Sequence, residues 1–178
     1  MNDGGLDPGP GLKFDILNNE FSVAGDGIYA FLDFEFSFHV SVIDPNLKIK
    51  DNSLSLSNDG AGGVSLSYTV DGSDDVGAFV QESIGTAPAL ADLAFETVEF
   101  SNLDDTSFST LDDSGSFAPQ SDIWVTKDLF VWAQDQGDSA NLFGFTQRFS
   151  QTTTVPEPST ILLLAAGLAG LGLRRKRC

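Results

Sequence analysis

Aspartates stand in close groups at Asp71, Asp74 and Asp75, at Asp104 and Asp105, and at Asp112 and Asp113. Carboxylates so placed can do two kinds of chemistry. In loops they bind hard cations, which take clusters of carboxylate and carbonyl oxygens. Facing each other across a cleft, they can cleave a glycosidic bond as acid and base or nucleophile. The turns Asp71-Gly-Ser-Asp-Asp75 and Asn102-Leu-Asp-Asp105 make Asp71, Asp74, Asp75, Asp104 and Asp105 candidate calcium ligands. Neither turn completes an EF-hand loop with its closing Glu, and aspartate in such turns equally serves local backbone structure. Calcium is the one cofactor the chain offers to hold.

Other catalytic sets are thin. His39 is the only histidine and lies among alternating polar residues, so a nucleophilic triad would depend on it alone, and no G-x-S-x-G elbow accompanies it. An enzyme is therefore not expected. Trp124 and Trp132 could stack on a sugar ring, which leaves a carbohydrate platform as a rival to core packing for these aromatics.

The elements that position these residues are strands. From Ile28 to Val42 the even positions Leu32, Phe34, Phe36, Phe38, Val40 and Val42 are apolar and alternate with Asp33, Glu35, Ser37, His39 and Ser41, the period-2 pattern of a strand with one buried face. Leu54 and Leu56, then Val64, Leu66, Tyr68 and Val70, alternate with Ser and Thr on either side of a Gly-rich segment, which predicts a β-hairpin. Between Leu93 and Phe100 the apolar parity changes, predicting a bulge near Thr97. Ile123 to Val125, Leu129 to Ala133 and Asn141 to Phe149 read as further short strands. Seven or more strands with turn-rich links and no internal helix predict an all-β fold, an antiparallel β-sandwich, with a jelly-roll or other barrel topology as the alternative. The 15 Phe residues mostly fill its core.

The C-terminus has a different character. Val155-Pro-Glu-Pro-Ser159 is followed by an uncharged apolar run, Ile161 to Leu173, and then by Arg174, Arg175, Lys176 and Arg177. Pro156 and Pro158 hold the backbone extended and present Glu157 just before a short hydrophobic helix. That helix of about 20 Å is short for a bilayer core of about 30 Å, which favours a transient membrane hold over a permanent span. The basic cluster would keep its end on the cytoplasmic side. Gly167, Gly170 and Gly172 suit a membrane helix better than a soluble one.

These three parts, in this order, resemble the PEP-CTERM sorting signal of Gram-negative bacteria. The resemblance implies that Pro156, Glu157 and Pro158 are read by an exosortase, a membrane transpeptidase-like enzyme. It implies that Arg174, Arg175, Lys176 and Arg177 stop the helix at the inner membrane, and that the product reaches the cell surface or an extracellular matrix where exopolysaccharide is made. Ser116 to Asp128 and Phe149 to Gln151 also look like the body end of such proteins, which implies that Asp122, Lys127 and Asp128 serve local strand and turn structure. Export also calls for an N-terminal signal peptide, whereas Met1 to Asp15 reads as neither basic nor apolar, so a segment upstream of Met1 is expected, with a truncated or decayed copy as the alternative.

Charge agrees with life outside the cell. The chain carries 26 acidic and 9 basic residues, and removing everything after Val155 takes away four basic residues and one acidic residue, leaving −20. Such a body repels nucleic acid and anionic headgroups. Cys178 is the single cysteine, so no internal disulfide can form.

Residues 1–11 are expected to be a disordered N-terminal segment, 12–150 the sandwich, 151–155 a linker and 156–178 the sorting signal. The expected function is an exported, noncatalytic surface or matrix protein. The alternative is an exported carbohydrate-binding or carbohydrate-active protein with polysaccharide as its partner.

Overall fold

Among the described residues, the alternation of apolar and polar residues resolves into twelve strands. The structure, a computed structural model, describes residues 9–56, 63–70 and 75–153. The strands are β1 (Gly11–Asp15), β2 (Ser22–Ala24), β3 (Ala30–Ser41), β4 (Leu47–Ser55), β5 (Val64–Ser67), β6 (Asp75–Gly85), β7 (Ala94–Leu103), β8 (Thr106–Thr110), β9 (Asp112–Gln120), β10 (Asp122–Ala133), β11 (Ser139–Leu142) and β12 (Gly144–Thr153). No helix occurs among the described residues, and the apolar run Ile161 to Leu173 lies outside them.

All pairings are antiparallel, as in the predicted sandwich. One layer is a five-stranded sheet in the order β3-β10-β6-β7-β8. Facing it are a four-stranded sheet, β1-β12-β4-β9, and a three-stranded sheet, β2-β11-β5. The small sheet packs its Val23, Val64, Ala140 and Leu142 with Val76, Ala78, Val131 and Ala133 of the five-stranded sheet.

Several local expectations change. The segments on either side of the Gly-rich stretch do not pair with each other: β4 lies between β12 and β9, while β5 pairs with β11. A hairpin rule sees only neighbours in sequence, and here each segment buries its apolar face better against a distant strand. Ile123 to Ala133 is one continuous strand rather than two, and β7 runs without a bulge at Thr97. β12 continues through Thr153, paired with Leu47, into the segment read as a linker, and β1 begins at Gly11.

The Phe-rich strand keeps its parity, but it lies at the edge of its sheet. Phe14 of β1 stacks on Phe145 at 4.6 Å and meets Phe36 and Phe38 at 5.7 and 5.9 Å. This closes part of the seam between the layers. An open groove of about 550 Å³ remains between β1 and β3, and Phe34 is 51% exposed beside it. An edge strand has a neighbour on one side only, so its inward face is covered less than the pattern alone predicts.

Candidate functional site

Of the predicted calcium ligands, Asp75, Asp104 and Asp105 are described, and strand register sets Asp75 opposite Leu103, next to the Asp104-Asp105 turn. Asp71 and Asp74 lie outside the described residues. Asp75 opens β6 and accepts a hydrogen bond from Trp132 Nε1 at 2.5 Å. Asp104 and Asp105 form the two-residue turn between β7 and β8 with φ of 47° and 61°, the left-handed conformation that short hairpins demand and that Asp tolerates. Among the described residues no three His, Cys, Asp or Glu side chains come together as a metal site.

The third aspartate pair accepts hydrogen bonds from a side chain and from the backbone. Asp112 accepts from Ser55 Oγ at 2.7 Å, and Asp113 accepts from the Thr97 amide at 2.9 Å. His39 lies 3.4 Å from Asp122 and 4.9 Å, ring to ring, from the half-buried Trp124. Trp132 is only 6% exposed, with its indole laid over Gly77. The tryptophan nearer the acidic turns is therefore unavailable for flat stacking on a sugar.

The concentration of chemistry lies inside the sandwich. Along β10 the odd residues Ile123, Val125, Leu129 and Val131 face the core, and Lys127 occupies the middle of that row. Glu82 interrupts the inward row Val76, Ala78, Val80 and Ile84 of β6, and Glu96 stands beside Val98 in β7. Strand register puts the three charges in line, Lys127 opposite Glu82 and Glu82 opposite Glu96. The line divides the apolar core in two, with Val80, Val98, Leu129 and Phe145 on one side and Ile84, Val125, Ile123 and Phe149 on the other.

The facing sheet supplies the partners. Lys127 Nζ forms an ion pair with Glu82 Oε2, and both side chains are fully buried. Asn52 of β4 donates from Nδ2 to Glu82 Oε1 at 2.5 Å. Gln147 of β12 donates from Nε2 to Asn52 Oδ1 at 2.9 Å. The Lys127 ammonium lies 5.2 Å from the centre of the Phe145 ring. Gly115 of β9 leaves room for the Glu96 carboxyl, since a Cβ at that position would overlap Oε1.

Burial dominates the ionisation of this cluster. It pushes Glu82 up and Lys127 down, and each is partly restored by the other's charge and hydrogen bond. Glu96 is pushed up to about 8, first by burial and next by the Glu82 charge. Near neutral pH it is a carboxylic acid beside one ion pair, and the buried row is electrically neutral.

A pH dependence follows. Glu96 in the unfolded chain titrates near its ordinary 4.5 and in the folded chain near 8. Between those values the folded state holds the extra proton, so stability is full below about 4.5 and falls as pH rises towards 8. The slope from this group is at most about 1.4 kcal/mol per pH unit. Urea unfolding at pH 5 and pH 8 should show this loss in the parent and not in Glu96→Gln; equal slopes in the two would remove the assignment.

Neither predicted binding chemistry nor catalysis defines the class of the protein; the fold and the chain's continuation do. The last strand ends at Thr153, and the Pro-Glu-Pro, apolar and basic segments follow, so this is an acidic all-β body joined directly to a C-terminal sorting signal. The family model of the PEP-CTERM protein-sorting motif matches residues 154–177. The chain carries a PEP-CTERM signal, and the motif implies recognition by an exosortase and sorting to the cell surface. No curated protein and no solved structure matches the chain. Pro156, Glu157, Pro158, Arg174, Arg175, Lys176 and Arg177 all fall within the matched segment and outside the described residues.

The buried row escaped sequence reading, although a signal was present. Charges at Glu82, Glu96 and Lys127 fall on the apolar parity of their strands, where a solvated residue would break the pattern. The apparent phase change near Thr97 is the same signal: Glu96 and Val98 both face inward, and Phe95, 58% exposed, faces out.

Proposed function

We propose that this is an exported, noncatalytic β-sandwich protein of the cell surface or extracellular matrix, held briefly at the inner membrane and processed through its C-terminal signal. What supports the reading most is the junction itself. A body bonded into a sheet up to Thr153, which pairs with Leu47 of β4, is followed from residue 154 by the matched motif. The acid excess suits a hydrated polymer matrix and keeps the body from anionic membrane surfaces.

The carbohydrate alternative rests mainly on Trp124, since Trp132 is buried and engaged with Asp75. Calcium has no assembled site to support it among the described residues.

Fractionation of native host cells carrying the full gene, with and without Pro156 to Pro158, tests the sorting role. The deletion should leave a larger, unprocessed chain in the membrane fraction, while the parent appears shortened at the surface or in the medium. Identical size and location of the two products would overturn the reading.

A further inference from the structure

We propose that the Lys127–Asn52 pair is a self-processing cross-link site, at which the lysine amine displaces ammonia from the asparagine carboxamide and joins the two facing sheets by an amide bond. Five observations carry this. Lys127 Nζ and Asn52 Nδ2 engage the two oxygens of one carboxylate, that of Glu82, so a single side chain gathers amine and carboxamide from opposite layers. Gln147 Nε2 donates to Asn52 Oδ1 at 2.9 Å, where negative charge would develop as the carbonyl carbon is attacked. Glu96 lies directly opposite Glu82 across the β6–β7 ladder, with both its carboxyl oxygens buried and not hydrogen-bonded. All five side chains are at most 1% exposed, which excludes water as a competing nucleophile. The Phe145 ring against the ammonium adds an apolar wall.

The protons and electrons balance within the cluster. Glu82 takes a proton from the Lys127 ammonium and frees its electron pair, a transfer that burial favours because it removes two charges from a dry interior. Nζ then bonds to Asn52 Cγ, and the carbonyl electrons move onto Oδ1 beside Gln147. Glu96, protonated at neutral pH, gives its proton to Nδ2 and takes the second proton lost by Nζ. The Cγ–Nδ2 bond breaks and ammonia leaves. The products are a secondary amide, two neutral carboxylic acids and ammonia, so the buried ion pair is gone and no oxidant or reductant is consumed.

The chain also has a use for such a bond. With one cysteine it cannot cross-link its layers through an internal disulfide. The amide would tie β4 to β10 across the middle of the core.

Intact-mass measurement of the full chain, produced in a host without an exosortase and kept in detergent, tests the proposal. The folded protein should weigh less than its sequence by one ammonia, and a protease digest should contain one peptide joining the Asn52 and Lys127 segments. Lys127→Met and Asn52→Ala should restore the full mass, and Glu96→Gln should fold yet form the bond slowly or not at all. A parent that unfolds cooperatively but has the full sequence mass and separate Asn52 and Lys127 peptides would overturn it. So would an ammonia loss mapped to any other residue.

Discussion

Measured against the chain in which the Lys127–Asn52 amide has not formed, Lys127→Met alone should lower the unfolding free energy by about 3–5 kcal/mol, the cost of leaving a buried charge without its partner. Glu82 would then face Asn52 and Glu96 with no cation in the row, in an interior where all three are at most 1% exposed. The folded state can relieve this only by taking up another proton, so the loss should be larger at pH 8 than at pH 5. Replacing the whole row, with Lys127→Met, Glu82→Leu and Glu96→Leu together, should recover much of the loss, because apolar side chains of similar volume carry no desolvation penalty. Urea unfolding of the single and triple variants at both pH values gives the comparison. A single variant as stable as the parent would show that the row is not desolvated as described.

Gly77→Val should cost about 1–3 kcal/mol through overpacking, with a further loss of about 1 kcal/mol from a broken hydrogen bond. A Cβ at Gly77 would stand 2.5 Å from Ser101 Cβ and 2.5 and 2.6 Å from two ring carbons of Trp132. β6 is a central strand, flanked by β10 and β7, so neither neighbour can move away without breaking its own ladder. The indole would have to lift, and Trp132 Nε1 would leave Asp75. Fluorescence should shift to the red as Trp132 meets water, together with a lower urea midpoint. An unchanged spectrum and midpoint would show that the indole does not rest on the glycine.

Much of the fold was legible in local pattern. The alternation from Leu32 to Val42, from Leu129 to Ala133 and from Asn141 to Phe149 marks strands because side chains on a pleated backbone point to opposite faces by turns, although the last segment is divided between β11 and β12. Partnership was not legible in the same way. Leu54 and Val64 looked like two arms of one hairpin, but β4 takes β12 and β9 as neighbours, and β5 takes β11. Pairing depends on which distant apolar face completes a layer, and a window of a dozen residues contains no such information. Exposure followed the same logic: Phe34 and Phe36 share one parity, and only the edge position of β3 leaves Phe34 half in solvent.

The candidate ligands and the buried row show the limits of reading charge by type. Asp104 and Asp105, candidate oxygen donors, are also the left-handed pair of a tight turn, a backbone role that charge alone does not disclose. Lys127, read as a residue of local strand and turn structure, is a fully buried residue in the middle of a twelve-residue strand. Its apolar neighbours at Val125 and Leu129 marked the position as inward, but an inward lysine makes physical sense only once its carboxylate is seen.

By itself the sequence determined the β class of the body and its C-terminal address. Both are written in contiguous residues: strand alternation is a two-residue repeat, and the Pro-Glu-Pro, apolar and basic segments need no tertiary partner to be recognised. Only the tertiary structure decided what Asn52, Glu82, Glu96, Lys127 and Gln147 are for. They are scattered across 95 positions between the Asn52 and Gln147 side chains, and burial of any one alone would be costly. Register across two sheets brings them to one dry line, where each charge has a partner within reach and the ionisation of each depends on the rest.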